Sequence, residues 1–141
     1  MIKYFPIILI LILISSCDYF NSTRICNSTP RNIKIKIEFD SINLSNKHLP
    51  KNEFLKRFHE WSNGMNLLEV DTINNFCIYQ LPPDSCCEIE GGNNRRPFFD
   101  DFSKITIIST DTIILDTKDK MREAFNADRK NTEYYFDLVI K

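Results

Sequence analysis

The chain reads as a mainly β protein: an antiparallel β-sandwich of about seven short strands, with one amphipathic helix and one short helix inserted. Three observations predict this. Ile33, Ile35, Ile37 and Phe39 alternate with Lys34, Lys36, Glu38 and Asp40, the period of two expected of a strand with one wet face. Short apolar segments recur from there to the end, parted by clusters of Pro, Gly, Asn and Asp. No regular alternation of strands with helices calls for a parallel sheet. A single antiparallel sheet with helices on one face is the second architecture this pattern permits.

Taken in order, Arg24-Ile25-Cys26 begins a strand, and Asn27 to Asn32 is a turn cluster. The alternating strand over 33–39 is expected to pair back on residues 23–27 as a hairpin. Residues 41–50 are polar and end in Pro50. Phe54, Leu55, Phe58 and Trp61 fall at helical spacing, and Asn63-Gly64 supplies a stop, so Lys51 to Ser62 reads as an amphipathic helix. A short strand over 66–70 precedes one from Asn75 to Leu81. The turn Pro82-Pro83-Asp84 then leads into Ser85 to Glu90 as a hairpin partner. Ile105 to Ser109 and Thr112 to Asp116 carry Ile or Leu on both faces, as interior strands do. Lys118 to Asn126 reads as a short helix and Glu133 to Ile140 as the last strand.

The first seventeen residues carry a separate message. Met1-Ile2-Lys3 supplies one positive charge, and the sequence is apolar from Ile7 to Ile14. That is the layout of a secretory signal, and the segment from Tyr4 to Ile14 is roughly half of the ~20 residues a membrane span needs. Ile14-Ser15-Ser16-Cys17 resembles the lipobox of bacterial lipoproteins, with Ser16 standing where Gly or Ala is more usual. The resemblance covers these residues alone. It implies a diacylglyceryl group on the Cys17 thiol, cleavage before Cys17 and acylation of the new amino terminus. Several acyl chains at ~0.8 kcal/mol per buried CH₂ anchor a protein without a spanning helix. The expected organisation is a signal peptide over 1–16, a tether over 17–23 and one β-rich domain over 24–141. The expected address is the bacterial cell envelope, with the outer membrane as first choice; Asp18 does not by itself select a membrane or a face.

Composition narrows the function classes. The chain has 18 basic and 19 acidic residues, and the signal segment removes only Lys3. No basic patch points to nucleic acid. Cys26, Cys77, Cys86 and Cys87 remain once Cys17 is assigned to lipid, an even number suited to an oxidising compartment. Two disulfides are expected, with Cys77 pairing to Cys86 or Cys87 across the expected hairpin and the other cysteine left for Cys26. A Cys86–Cys87 bridge is disfavoured because adjacent residues strain the geometry. With two histidines and no Cys-x-x-Cys, a metal site is not expected; nor is a cofactor.

No catalytic signature is present: there is no Gly-x-Ser-x-Gly, no His-Glu-x-x-His and no phosphate loop. His48 lies in a polar loop, His59 beside the apolar helix stripe, and the Asp100-Asp101 pair diverges in extended backbone. The most unusual surface stretch runs from Gly91 to Phe102. Arg95, Arg96 and Phe98 are its binding candidates, since Arg and aromatic residues dominate protein-binding hot spots. Phe99 and Phe102 are the residues of that stretch that would plug the end of a sandwich. Trp61 is a core or ligand-facing aromatic.

Asp40-Ser41-Ile42, Asp71-Thr72-Ile73 and Asp111-Thr112-Ile113 share one pattern. It is similar to the acceptor sequence for O-linked glycosylation of exported proteins in some bacteria, making Ser41, Thr72 and Thr112 candidates. The structural alternative is an Asp that ends a turn before a strand. Asn21, Asn27 and Asn43 also open N-glycosylation sequons, which a bacterial lipoprotein rarely uses.

The expected function is a lipid-anchored, non-enzymatic module that binds an envelope protein or glycan. An envelope enzyme inhibitor or immunity protein, and an envelope hydrolase, are the alternatives. Replacing Cys17 tests the anchor. Cys17→Ser is expected to leave the protein uncleaved or to release it from membranes in fractionation. A variant cut to mature size that still sediments with membranes refutes lipidation.

Overall fold

The computed structural model describes residues 19–47, 49–62, 64–93, 96–130 and 133–141. The signal segment, Cys17, His48 and Arg95 lie outside the described residues, as do the side chains of 126–130 and 133. Two sheets face each other. The first has the order β5-β1-β9-β8 and the second β3-β4-β2-β6-β7. The strands are β1 (Phe20–Asn27), β2 (Ile33–Phe39), β3 (Asn66–Asp71), β4 (Phe76–Leu81), β5 (Ser85–Asn93), β6 (Phe102–Ile108), β7 (Thr112–Leu115), β8 (Asn126–Lys130) and β9 (Glu133–Ile140). Three helices interrupt them: α1 (Ser41–Ser45), α2 (Lys51–Trp61) and α3 (Lys118–Ala124).

The sandwich is the architecture that the sequence predicts, and its core follows the period of two. Ile33, Ile35, Ile37 and Phe39 are buried from β2, Cys77, Tyr79 and Leu81 from β4, and Ile105 and Ile107 from β6. They meet Ile25, Cys87, Ile89 and Phe136 from the other sheet in one cluster. Leu55 and Phe58 of α2 and Met121 of α3 close its sides. Helix α2 ends where Gly64 adopts φ 92° and passes so close to β5 that a Cβ would lie 2.6 Å from the Cys86 carbonyl. Only glycine meets both demands.

Strand pairing departs from expectation in two places, for one reason. β1 does not pair with β2, and β4 does not pair with β5. Both connections cross from one sheet to the other. β1 instead lies between β5, antiparallel, and β9, parallel. Periodicity assigns a face to each residue but leaves the partner strand open. The strand also starts at Phe20 rather than Arg24, so residues 20–23, expected in the tether, belong to the domain; Asn21, Ser22 and Thr23 are buried. α1, β8 and the edge position of β7 are further differences. Ile114 on that edge is exposed, so β7 is not an interior strand. Phe125 ends α3 earlier than expected, and β8 follows it directly.

The two crossings are held by one side chain. Asn27 is buried, and its amide nitrogen donates to Arg31 O at 2.8 Å, Leu81 O at 3.1 Å and Pro82 O at 2.9 Å. Its Oδ1 accepts from Thr29 N at 3.0 Å and from the Thr29 hydroxyl at 2.7 Å. This joins the 28–32 turn to the 82–84 turn, and it leaves the Asn27 amide buried and hydrogen-bonded in the folded protein.

The cysteine pairing changes with the topology. Cys26 and Cys86 are register partners on β1 and β5 and form a disulfide with Cα atoms 4.0 Å apart. Cys77 and Cys87 are buried free thiols. The expected Cys77 bridge to Cys86 or Cys87 is therefore corrected, along with the expected second disulfide, because β4 and β5 belong to different sheets. The bridge spans a sequence separation of 60; in the chain-entropy model a loop of that size contributes about 4 kcal/mol.

Asn27→Ala is expected to cost about 3 kcal/mol, since it strands the buried Leu81 carbonyl, two part-buried carbonyls and the Thr29 donors together. Chemical denaturation would read this; a loss within ordinary surface-mutation scatter would refute the role given to Asn27.

Candidate functional site

A groove runs between helix α2 and strand β5, which is the edge strand of its sheet. Its volume is about 440 Å³. The helical repeat sets one wall: Phe54, Phe58 and Trp61 follow at three- and four-residue spacing and so share a face. Phe58 is held against Phe39 (5.0 Å between ring centroids), Phe102 (5.9 Å) and Tyr79 (6.3 Å). Trp61, at the end of the helix, reaches Phe58 at 6.4 Å but stays 40% exposed. Ile89, Glu90 and Gly91 of β5 make the opposite wall.

The loop from Phe98 to Asp101 closes one end. Two charged side chains shape it by binding its backbone. Glu90 accepts from Phe98 N at 3.1 Å and from Phe99 N at 3.0 Å, one amide per carboxylate oxygen. Lys118 donates to Phe99 O and, at 2.7 Å, to Phe102 O. Phe99 takes a left-handed φ of 57°, a conformation uncommon for a side chain of its size. Its ring is fully buried beside Phe125, 5.2 Å away. Driving Phe99 inward turns Phe98 outward, 43% exposed on the groove. Phe99 and Phe102 are the plug that the sequence suggested.

Ion pairs ring the slot. Lys47 lies 2.8 Å from Asp101, and Arg57 lies 2.8 Å from Glu53. The lining thus offers an apolar, aromatic floor beside a strand edge. Its Glu90, Asp101 and Arg57 charges are engaged within the protein, which leaves the floor, with the exposed Asp100 at its end, as the part available to bind.

The sequence candidates fare unequally. Phe98 and Trp61 come together in this groove. Arg96 is exposed and lines a shallow neighbouring recess with Asn21, Thr23 and Pro97; it does not join Phe98 as one patch. His59 stacks on Tyr79 with ring centroids 6.0 Å apart and lies outside the groove lining. Among the described residues no group of three His, Cys, Asp or Glu side chains could hold a metal. Ser41, Thr72 and Thr112 are all exposed. Two of their preceding aspartates have structural work: Asp40 accepts from Ile42 N and Asn43 N, and Asp71 from Ile73 N and Asn74 N. Glu90, Lys118 and Arg57 escaped sequence reasoning. Arg57 carries the i, i+4 signal of its pairing with Glu53. Glu90 and Lys118 carry no local signal, because their partners are backbone groups distant in the chain.

Comparison with protein-family models, with curated proteins and with solved structures returned no match to this chain.

The buried thiols behave as core residues. Burial pushes the Cys87 thiol up to about 12, and burial likewise raises Cys77. Cys87 also lies 3.6 Å from Ile25 O, to which its thiol donates. Both are therefore neutral and weakly nucleophilic in the folded state. The unfolded chain releases the Cys87 proton near its ordinary value of 9.0, whereas the folded chain holds it to about 12. Between those values the unfolded state binds fewer protons, so stability falls as pH rises. Denaturation midpoints measured across that window should decline for the wild type and decline less for Cys87→Ala. Equal slopes for the two proteins would count against this titration.

Proposed function

We propose that the protein is a lipid-anchored, non-enzymatic binding module of the cell envelope, working through the groove between α2 and β5. The single observation that carries this reading is that Trp61 and Phe98, both substantially exposed, face one aromatic slot beside an edge strand. An edge strand offers unpaired backbone groups, and an adjacent apolar slot selects the side chains of whatever pairs with it. The favoured ligand is accordingly an extended segment of a partner protein, its backbone along β5 and an apolar side chain against Trp61 and Phe98. A glycan is the second reading, favoured by the open aromatic face of Trp61.

An envelope inhibitor or immunity protein would use the same surface and is a special case of protein binding. The hydrolase reading draws less support. Glu90 spends both oxygens on backbone amides, Asp101 is paired with Lys47 and His59 stacks on Tyr79. A general acid or base has to reach a substrate proton.

Trp61→Ala and Phe98→Ala are each expected to abolish capture of envelope proteins while the chain still folds cooperatively, at a stability cost of about 1–3 kcal/mol for a half-buried ring; losing a central hot-spot residue typically costs ~2 kcal/mol or more of binding. Arg96→Ala, outside the groove, should leave capture intact. Capture undiminished in both aromatic variants refutes the groove, and retention of an envelope glycan in place of protein selects the second reading.

A further inference from the structure

The sandwich has two unlike ends. At one, the turns over 28–32, 82–84 and 109–111 gather: Asn27 binds Arg31 O, Leu81 O and Pro82 O, and Thr29 to Asn32 and Lys34 line one hollow with Ile108 to Thr110. The tips of these turns are polar or proline. At the other end, β1 begins with Phe20 opposite Asn93. Phe39 N donates to Asn75 O and Asp40 N to Asp101 O. Those bonds bring α1, the β3–β4 turn and the 98–101 loop to the same end as the entering chain.

The tips at this second end are apolar. Ile42 is 71% exposed, Ile73 86% and Phe20 42%. Neither isoleucine is explained by its own local structure. The β3–β4 turn is organised by Asp71, whose carboxyl is held below its usual range by hydrogen bonds from Asn74 and Ile73. Helix α1 is capped by Asp40 and buries Leu44, with Ile42 pointing away. Two tips built by different devices thus expose the same kind of side chain at the same end of the fold. A Tyr19–Tyr134 ring pair, 4.8 Å apart, adds amphipathic aromatics at this end. Aromatics of this type concentrate at membrane–water interfaces.

We infer that this end of the sandwich docks on the lipid bilayer, with Ile42 and Ile73 inserted at the interface. The inference rests on the reading of Cys17 as the anchor. Only three peptide steps separate Cys17 from Phe20. A fully extended chain covers ~3.3–3.6 Å per residue, so on that reading the Cα atom at the start of β1 lies no more than about 11 Å from the Cα atom of the anchoring cysteine. So short a tether holds the entering end at the headgroup layer and leaves no room for the opposite end to face the membrane. Charges around the tips are mixed, Lys47 and Lys51 with Asp40, Asp71 and Asp101. The contact is therefore apolar insertion into a zwitterionic surface, not recognition of anionic lipid.

The test uses the full lipidated chain, purified from membranes and reconstituted in phosphatidylcholine vesicles. Trp61 is the sole tryptophan, so a Trp61→Phe background accepts one reporter at a time: Ile42→Trp, Ile73→Trp, or Ile108→Trp at the far end. Brominated phosphatidylcholine should quench the first two reporters strongly and the third hardly at all. Hydrogen exchange of the wild-type 71–75 turn should also slow on vesicles relative to the Cys17→Ser protein, a reading that needs no tryptophan. If the protein does not float with vesicles, the anchor reading falls and docking falls with it. If it floats yet the Ile42 and Ile73 reporters stay unquenched, or the Ile108 reporter is quenched equally, docking alone is overturned and the anchor stands.

Discussion

The rest of this structure depends on the corner held by Asn27. One buried amide ties the β1–β2 turn to the β4–β5 turn through Arg31, Leu81 and Pro82 carbonyls. Both connections could have closed as hairpins within one sheet. Crossing between sheets instead creates the two-layer core, since residues consecutive in the chain now face each other across it. Unpaired, the buried Leu81 carbonyl would carry a full desolvation cost and the two part-buried carbonyls a smaller one. Asn27 is suited to the role because its side chain donates and accepts at once.

The crossing has consequences at both faces of β5. Adjacent residues on a strand point to opposite sides. Cys86 therefore turns outward and meets Cys26 on β1, while Cys87 turns inward and stays a neutral thiol among Ile25 and Ile89. Two neighbouring cysteines of identical chemistry thus acquire opposite fates from geometry alone. The crossing also leaves β5 at the edge of its sheet, which is what gives the groove a strand for one wall.

The groove owes its aromatic lining to a second long-range arrangement. Glu90 on β5 and Lys118 at the start of α3 hold the backbone of the 98–102 loop, one through its amides and the other through its carbonyls. Phe99 is forced into the core in a left-handed conformation, and Phe98 is left outside. The charges act here as positioning groups for an apolar surface. That division of labour accords with the proposed binding role, in which the floor does the contacting and the charges set its shape.

What the sequence by itself determined is local. The alternation over 33–39 placed β2 and its buried face; Phe54, Leu55 and Phe58 placed α2 almost to the residue; Ser15-Ser16-Cys17 carries the proposed anchor with no need of a fold. Pro30, Pro82 and Pro83 marked turns between strands, whereas Gly91 and Gly92 lie inside β5, which runs on to Asn93 rather than ending at Glu90. Tertiary structure decided which strands meet. A period of two says which side of a strand is dry but is equally satisfied by a hairpin or by a crossing, so β1 and β5 could not be recognised as partners, nor Cys26 and Cys86 as the bridge. It also decided which of two adjacent phenylalanines, Phe98 and Phe99, is exposed. That choice depends on Glu90 and Lys118 binding loop backbone from distant elements, and a hydrogen bond to backbone leaves no trace in the identity of the residue that receives it.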